Sequence, residues 1–182
     1  MLFKKIEDQY QIQNLRFNCI SEKNMDFNEI FHTIKDFMKS NPDGEYRLAI
    51  GTDSQAHKKH ISFVTGIVII RKGKGAWGCI RTENVPRKMK SLREKISYET
   101  TLTEMIAYMF TPELIDELLS VLSSQSRSTF TLEGHIDVGD KERNATRVLV
   151  REMESRIRSM GLVPKIKPYS FVASTYANKH TK

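Results

Sequence analysis

Three β-rich runs follow one another with little between them: "YRLAIGTDSQ" from Tyr46, "HISFVTGIVIIRK" from His60 and "GAWGCIRTENV" from Gly75. Each is bounded by polar or glycine-containing turn chemistry, and Gly73, Lys74 and Gly75 mark the second turn. Three consecutive strands joined by short turns make an antiparallel meander. In the first run, apolar Leu48, Ala49 and Ile50 are followed by Gly51 and a polar cluster, so Asp53 stands at a mouth where a buried strand meets the edge of the core. Two readings follow. Asp53, Ser54 and Gln55 are turn residues opening a hairpin, or Asp53 is the first of several carboxylates gathered to hold metal ions.

The rest of the chain adds helices in a fixed order. Phe27, Ile30, Phe31, Ile34, Phe37 and Met38 recur at helical spacing, so Met25 to Ser40 reads as a helix capped by Asp26 and stopped by "NPDG". Residues 1–24 have no clear period and receive no assignment. After the meander, "SLREKISYETTLTEMIAYMF" is a helix with Ser91 as cap and Glu94 three residues on, a capping box. Thr111 and Pro112 interrupt it, and Glu113 to Leu122 resumes. "STFTLEGHIDVG" is a strand, "DKERNATRVLVREMESRIRSMG" a helix closed by Gly161, "LVPKIKPYSF" a last strand and "ASTYANKHTK" a short helical tail.

At 182 residues with 39% hydrophobic content the chain suits one domain with an appended element. The boundaries expected are an N-terminal extension over residues 1–45 and the main domain over residues 46–182. The longest apolar stretch, Phe63 to Ile70, is broken by Thr65 and Gly66 and is too short to span a bilayer. "MLFKKIEDQY" lacks the apolar core of a signal peptide. A soluble, cytoplasmic protein is expected, with Cys19 and Cys79 as ordinary reduced thiols. The 29 basic and 22 acidic residues give a formal charge of +7 and bias the chain toward polyanions.

Three strands, helix, strand, helix, strand and terminal helix is the succession found in ribonuclease H-like folds. Within it, "YRLAIGTDSQ", "GHIDVGD" and "KPYSFVASTYANKHTK" together resemble the YkuK family, a group described as predicted ribonuclease H-related nucleases. The resemblance runs from about the Met25 helix to the last residue. It implies an α/β fold with a five-stranded mixed sheet, three antiparallel strands and then strand, helix, strand, flanked by helices and preceded by an N-terminal helical extension. It also implies carboxylates on the first strand, on the helix after the third strand, at the end of the fourth strand and in the terminal helix. By position, Asp53 matches the first and Asp137 the third.

The helical carboxylate needs arithmetic. At about 100° per residue, Leu92, Ile96, Leu102, Met105, Ile106, Met109 and Phe110 define one apolar arc; Glu99 falls roughly 40° from its centre and Glu104 roughly 180°. Glu99 is expected to face the core and Glu104 water. An inward carboxylate is costly unless paired or metal-bound, so Glu99 is either a metal ligand or a rim carboxylate paired with a nearby lysine. At the fourth position this sequence departs from the pattern: the tail offers Asn178 and His180 but no carboxylate. An amide oxygen ligates Mg²⁺ without adding charge, and a histidine serves as base or proton carrier.

Asp53, Glu99, Asp137 and His180 are therefore the candidate catalytic residues, with Asp53, Glu99, Asp137 and Asn178 as ligands of Mg²⁺ or Mn²⁺. Phosphodiester cleavage suits such a set, because two metal ions about 3.5 to 4 Å apart stabilise the attacking and leaving oxygens together. Asp140 is a rival ligand but is well placed to cap the following helix. Glu133, His135 and Asp137 alternate and should share one face of the fourth strand. His57 and His60 in "AHKKH" lack the third ligand of a zinc site and read as a basic hairpin turn.

The basic run "PRKMKSLREK" leads into the helix bearing Glu99. Arg87, Lys88 and Lys90, with Lys179 in the tail, are candidate contacts to the backbone of RNA or DNA, the rival being a solvated loop. Arg143, Arg147, Arg151 and Arg158 form a stripe left mostly to solvent. Trp77, Tyr98 and Tyr108 are available to stack bases, although core is the commoner fate of such residues. Against the nuclease stand a binding module on the same fold without turnover and a scaffold whose Met25 helix docks a protein partner.

Overall fold

The computed structural model describes residues 14–124, 127–139 and 144–172. Five strands, β1 (Glu45–Ala56), β2 (Ile61–Arg71), β3 (Gly75–Val85), β4 (Thr129–Gly139) and β5 (Val163–Lys167), form one mixed sheet in the order β3-β2-β1-β4-β5. The meander is antiparallel, with Gly51 opposite Gly66 and Gly66 opposite Ile80. β4 then joins β1 in parallel, placing His135 beside Gly51, and β5 joins β4 in parallel with a register shift between His135 and Gly139. Among the described residues, four helices complete the order: α1 (Phe27–Lys39), α2 (Leu92–Met109), α3 (Pro112–Leu119) and α4 (Asn144–Ser159). The expected mixed five-stranded sheet with flanking helices and a preceding N-terminal helix is the one observed.

The helices start where their caps are. Asp26 accepts the Glu29 amide at 3.0 Å while Glu29 accepts the Asp26 amide at 2.8 Å, a reciprocal box that fixes the start of α1. At α2 the box is only half formed. Ser91 Oγ accepts the Glu94 amide at 3.1 Å, but the Glu94 carboxylate takes the Lys90 amide and pairs with Arg87 instead. At the far end of α4 the chain turns through Gly161 at φ +80, a conformation in which a Cβ is strained.

Period-2 alternation gives the sheet two unlike faces. Leu48, Ile50 and Thr52 of β1, Phe63, Thr65 and Ile67 of β2 and Ile136 and Val138 of β4 are buried toward the helices. They form the main core with Ile30, Ile34 and Met38 of α1, Ile96, Leu102 and Ile106 of α2 and Met153 and Ile157 of α4. Thr52, Thr65 and Thr103, all buried, satisfy one another through hydroxyl contacts of 2.9 and 3.0 Å, pinning α2 to the middle of the sheet. Among the described residues the opposite face carries two small apolar groups: Ala49 and Val68 meet Val172, and Val64 meets Ile80.

Two expectations are corrected, and one of the two readings of Asp53 is set aside. Glu104 does not face water: Arg156 of α4 reaches it with Nε 2.9 Å from Oε1, and the same guanidinium donates to Ser97 and Thr101. A helical wheel describes one helix, and here a second helix covers the flank that the wheel leaves polar. Leu92 is not on the buried arc but 52% exposed, in the first turn of α2. Asp53 is not in the hairpin turn; β1 runs on to Ala56, and the turn is made by residues 57–60, where the His57 and His60 rings stack at 4.5 Å.

Residues 14–24, unassigned in the sequence, lie against the edge of the sheet. Phe17 bridges Met25 and Asn18 bridges Ile80, burying Leu15, Phe17 and Cys19. No described helix is long and apolar enough to cross a membrane.

Candidate active site

Asp53, Asp137 and Glu99 reach one place by three routes. Asp53 and Asp137 project from the same face of neighbouring parallel strands, one pleat beyond the Gly51 and His135 pair. Glu99 comes from the helix side. Its carboxylate, in a residue only 5% exposed, accepts a hydrogen bond from Ser54 Oγ at 2.7 Å at the rim of β1. The cluster therefore straddles the carboxyl ends of β1 and β4, the edge at which open α/β sheets offer their strand ends to ligands.

The electrostatics follow from that crowding. Burial raises the Asp53 pKa, and the nearby Asp137 carboxylate raises it further; the Ser54 amide, which donates to Asp53 Oδ1 at 2.7 Å, and Lys95 work against the shift. Burial pushes Glu99 up to about 7, opposed by Lys95 and Ser54 and assisted by the charges of Asp53 and Asp137. Two ammonium groups offset the negative charge: Lys95 Nζ lies 3.5 Å from Glu99 Oε1, and Lys167 Nζ lies 3.0 Å from Asp137 Oδ1. The lysine expected as the rival partner of Glu99 is thus present at the i, i+4 spacing. Ser54 and Lys167 were not expected at the site. Lys167 lies thirty residues beyond Asp137 in sequence and meets it only through the pairing of β5 with β4.

Hard carboxylate oxygens that oppose one another's charge suit Mg²⁺ or Mn²⁺ in kind. Among the described residues no three His, Cys, Asp or Glu side chains are gathered closely enough to form a ready metal cage. The donors suit such an ion by their chemistry, and Lys95 and Lys167 supply countercharge on Glu99 and Asp137.

Behind Asp137 on the same face of β4 lies a second polar group. Glu133 is 3% exposed, and its Oε2 accepts from Arg47 at 3.1 Å and meets His135 Nε2 at 3.0 Å. Burial works against the Glu133 charge, but the His135 hydrogen bond and Arg47 outweigh it and lower the pKa. Burial lowers the His135 pKa despite the Glu133 contact. Glu133, His135 and Asp137 do share one face.

The remaining candidates separate. Arg87, Lys88 and Lys90 are exposed in the loop between β3 and α2, with Arg87 paired to Glu94 at 2.8 Å. Tyr98 packs its ring 4.6 Å from Phe63 and donates to Glu83 at 2.7 Å, a structural role. Asp140, Arg143, Asn178, Lys179 and His180 lie outside the described residues.

Comparison with known proteins finds two relationships. The family model described as "Ribonuclease H-like" matches residues 29–182. A Bacillus subtilis (strain 168) protein that bears the name "Uncharacterized protein YkuK" is 41% identical over 169 residues, covering 91% of this chain and 96% of the relative. No solved structure matches the chain.

Proposed function

Because this chain belongs to the ribonuclease H-like family, we propose that it is a divalent-metal-dependent nuclease hydrolysing the phosphodiester bonds of RNA or DNA at the Asp53, Glu99 and Asp137 cluster by a two-metal mechanism. The observation that carries the reading is the convergence of three carboxylates, far apart in sequence, that raise the pKa of Glu99 and Asp53 by burial and mutual charge. Such a cluster is unfavourable unless it binds positive charge. Mg²⁺ or Mn²⁺, when bound, polarises the phosphate and lowers the pKa of the attacking water.

The chain's own residues do the rest. Asp53 and Asp137 would hold the ions at the strand ends, and Glu99, whose carboxylate Ser54 holds by a hydrogen bond, would complete the ligand set. Asn178 serves as a neutral ligand and His180 as the proton carrier. Arg87, Lys88, Lys90 and Lys179 contact backbone phosphates, consistent with the formal charge of +7. In this reading residues 1–45 are an extension, residues 46–182 carry the activity, and the enzyme works in the cytoplasm.

One observation favours a second reading, a nucleic-acid-binding or protein-interaction module without turnover. Lys95 and Lys167 already offset part of the carboxylate charge. Purified protein assayed with Mg²⁺ or Mn²⁺ on single-stranded, duplex and hybrid substrates separates the two. Cleavage that Asp53→Asn abolishes supports the nuclease; nucleic-acid binding with no cleavage on any substrate supports the module.

A further inference from the structure

The face that carries Asp53 and Asp137 has a gap in its side chains, and a segment of the same chain fills it. Gly51 and Gly66 are opposite one another on β1 and β2, and His135 is beside Gly51 on β4. A Cβ on Gly51 would come within 2.8 Å of His135 Cβ, and a Cβ on Gly66 within 2.7 Å of Val172 Cγ1. Side chains at either position would evict what now lies there. Val172 is fully buried against Ala49 and Val68.

Val172 belongs to a strap that follows β5. After Lys167, the amides of Tyr169 and Ser170 both donate to Ile166 O, turning the chain back across the sheet. The amides of Phe171 and Val172 then donate to one acceptor, His135 Nδ1, at 3.2 and 3.4 Å. Two donors on Nδ1 require that atom to be unprotonated, so the ring proton is on Nε2 and is given to Glu133 Oε2 at 3.0 Å. The Phe171 ring stands edge-on to His135 at 4.8 Å, under the Arg47 guanidinium at 5.6 Å.

We propose that His135 is a positioning residue that clamps the strap from Pro168 to Val172 onto the carboxylate-bearing face. The clamp closes the floor one pleat beneath Asp53 and Asp137, next to the β4–β5 pairing that brings Lys167 to Asp137. Glu133 and Arg47 act through it: Glu133 fixes the tautomer, and Arg47 holds both Glu133 and the Phe171 ring. The functional consequence rests on the nuclease reading; the clamp itself does not.

The test is amide hydrogen exchange on the metal-free full chain at neutral pH, compared with the central amides of β1 and β2. In His135→Leu, exchange at Phe171 and Val172 is expected to rise at least about tenfold, the loss expected when a net hydrogen bond of about 1.4 kcal/mol is removed. His135→Asn, whose amide oxygen lies near the position of Nδ1, should restore most of the protection, which a side chain that merely fills space would not. Unchanged protection in His135→Leu, or no rescue by His135→Asn, overturns the clamp. Should His135→Leu fail to fold, ¹⁵N shifts of the wild-type ring decide: an Nε2–H tautomer supports the proposal and an Nδ1–H tautomer overturns it. Gly66→Ala pushes on the strap from the other end and should expose the same two amides with His135 intact; protection as in wild type counts against the docking. Loss of protection together with an inactive wild type would leave the clamp standing and sink the nuclease.

Discussion

Asp53 and Asp137 lie on the same face of two adjacent parallel strands, opposite the main hydrophobic core, where burial raises the Asp53 pKa and the Asp137 charge raises it further. A like charge this near is unfavourable without a bound cation. The fold tolerates it at the strand ends, where solvent and the ammonium of Lys167 are within reach.

Replacing Asp53 by asparagine removes a charge with little change of shape. Cleavage in Mg²⁺ or Mn²⁺ is expected to fall by orders of magnitude while the melting temperature, measured in chelator, stays level or rises because the repulsion is gone. His180→Ala should cost less, about 10² to 10⁴-fold, the usual contribution of a proton carrier. Equal turnover in wild type and Asp53→Asn would assign cleavage to another site.

Glu99 gives the pH dependence a sign. Its pKa is raised in the folded chain to about 7, so folding favours its protonated form, and that stability is fully present below the ordinary carboxylate range and lost as pH rises through 7. In chelator, Glu99→Gln should therefore be more stable than wild type at pH 8, by up to about 3 kcal/mol for a shift of this size. The gap should close below pH 4.5. Denaturant midpoints across pH measure it, and a variant less stable than wild type at pH 8 would contradict the assignment.

Arg156 ties α4 to α2 through Glu104, Ser97 and Thr101. Arg156→Ala strands a half-buried carboxylate and should lower unfolding free energy by about 1 to 3 kcal/mol, the range for leaving a buried polar group without its partner. Urea melts check this; no change would mean that solvent replaces the contact.

The strands and helices were legible because alternation and helical spacing are local properties of the sequence. Glu99 was legible for the same reason, from its angle to the apolar arc of α2. Lys167 was not, because it meets Asp137 through strand pairing that no local pattern encodes. Glu104 was misread because its partner belongs to a different helix, and Phe17 and Asn18 escaped because each makes a single bridge rather than a strand. The terminal positions Asn178, Lys179 and His180 rest on the family resemblance.

Binding to nucleic acid should weaken steeply with salt, since each neutralised phosphate contributes about 0.9 to the log–log slope on duplex DNA. Removing Arg87, Lys88 and Lys90 together should flatten the slope by up to about 3 if each contacts one phosphate. Fluorescence anisotropy across a salt series reads this. An affinity independent of salt, or none at low salt, would favour a protein-interaction scaffold.

The central claim is that Asp53, Glu99 and Asp137 hold divalent ions, and a crystal soaked in Mn²⁺ tests it most directly through the anomalous difference map. The account predicts strong density among these three carboxylates, with Lys95 and Lys167 displaced from Glu99 and Asp137. A map with no peak there, and both lysines still paired to their carboxylates, would contradict it.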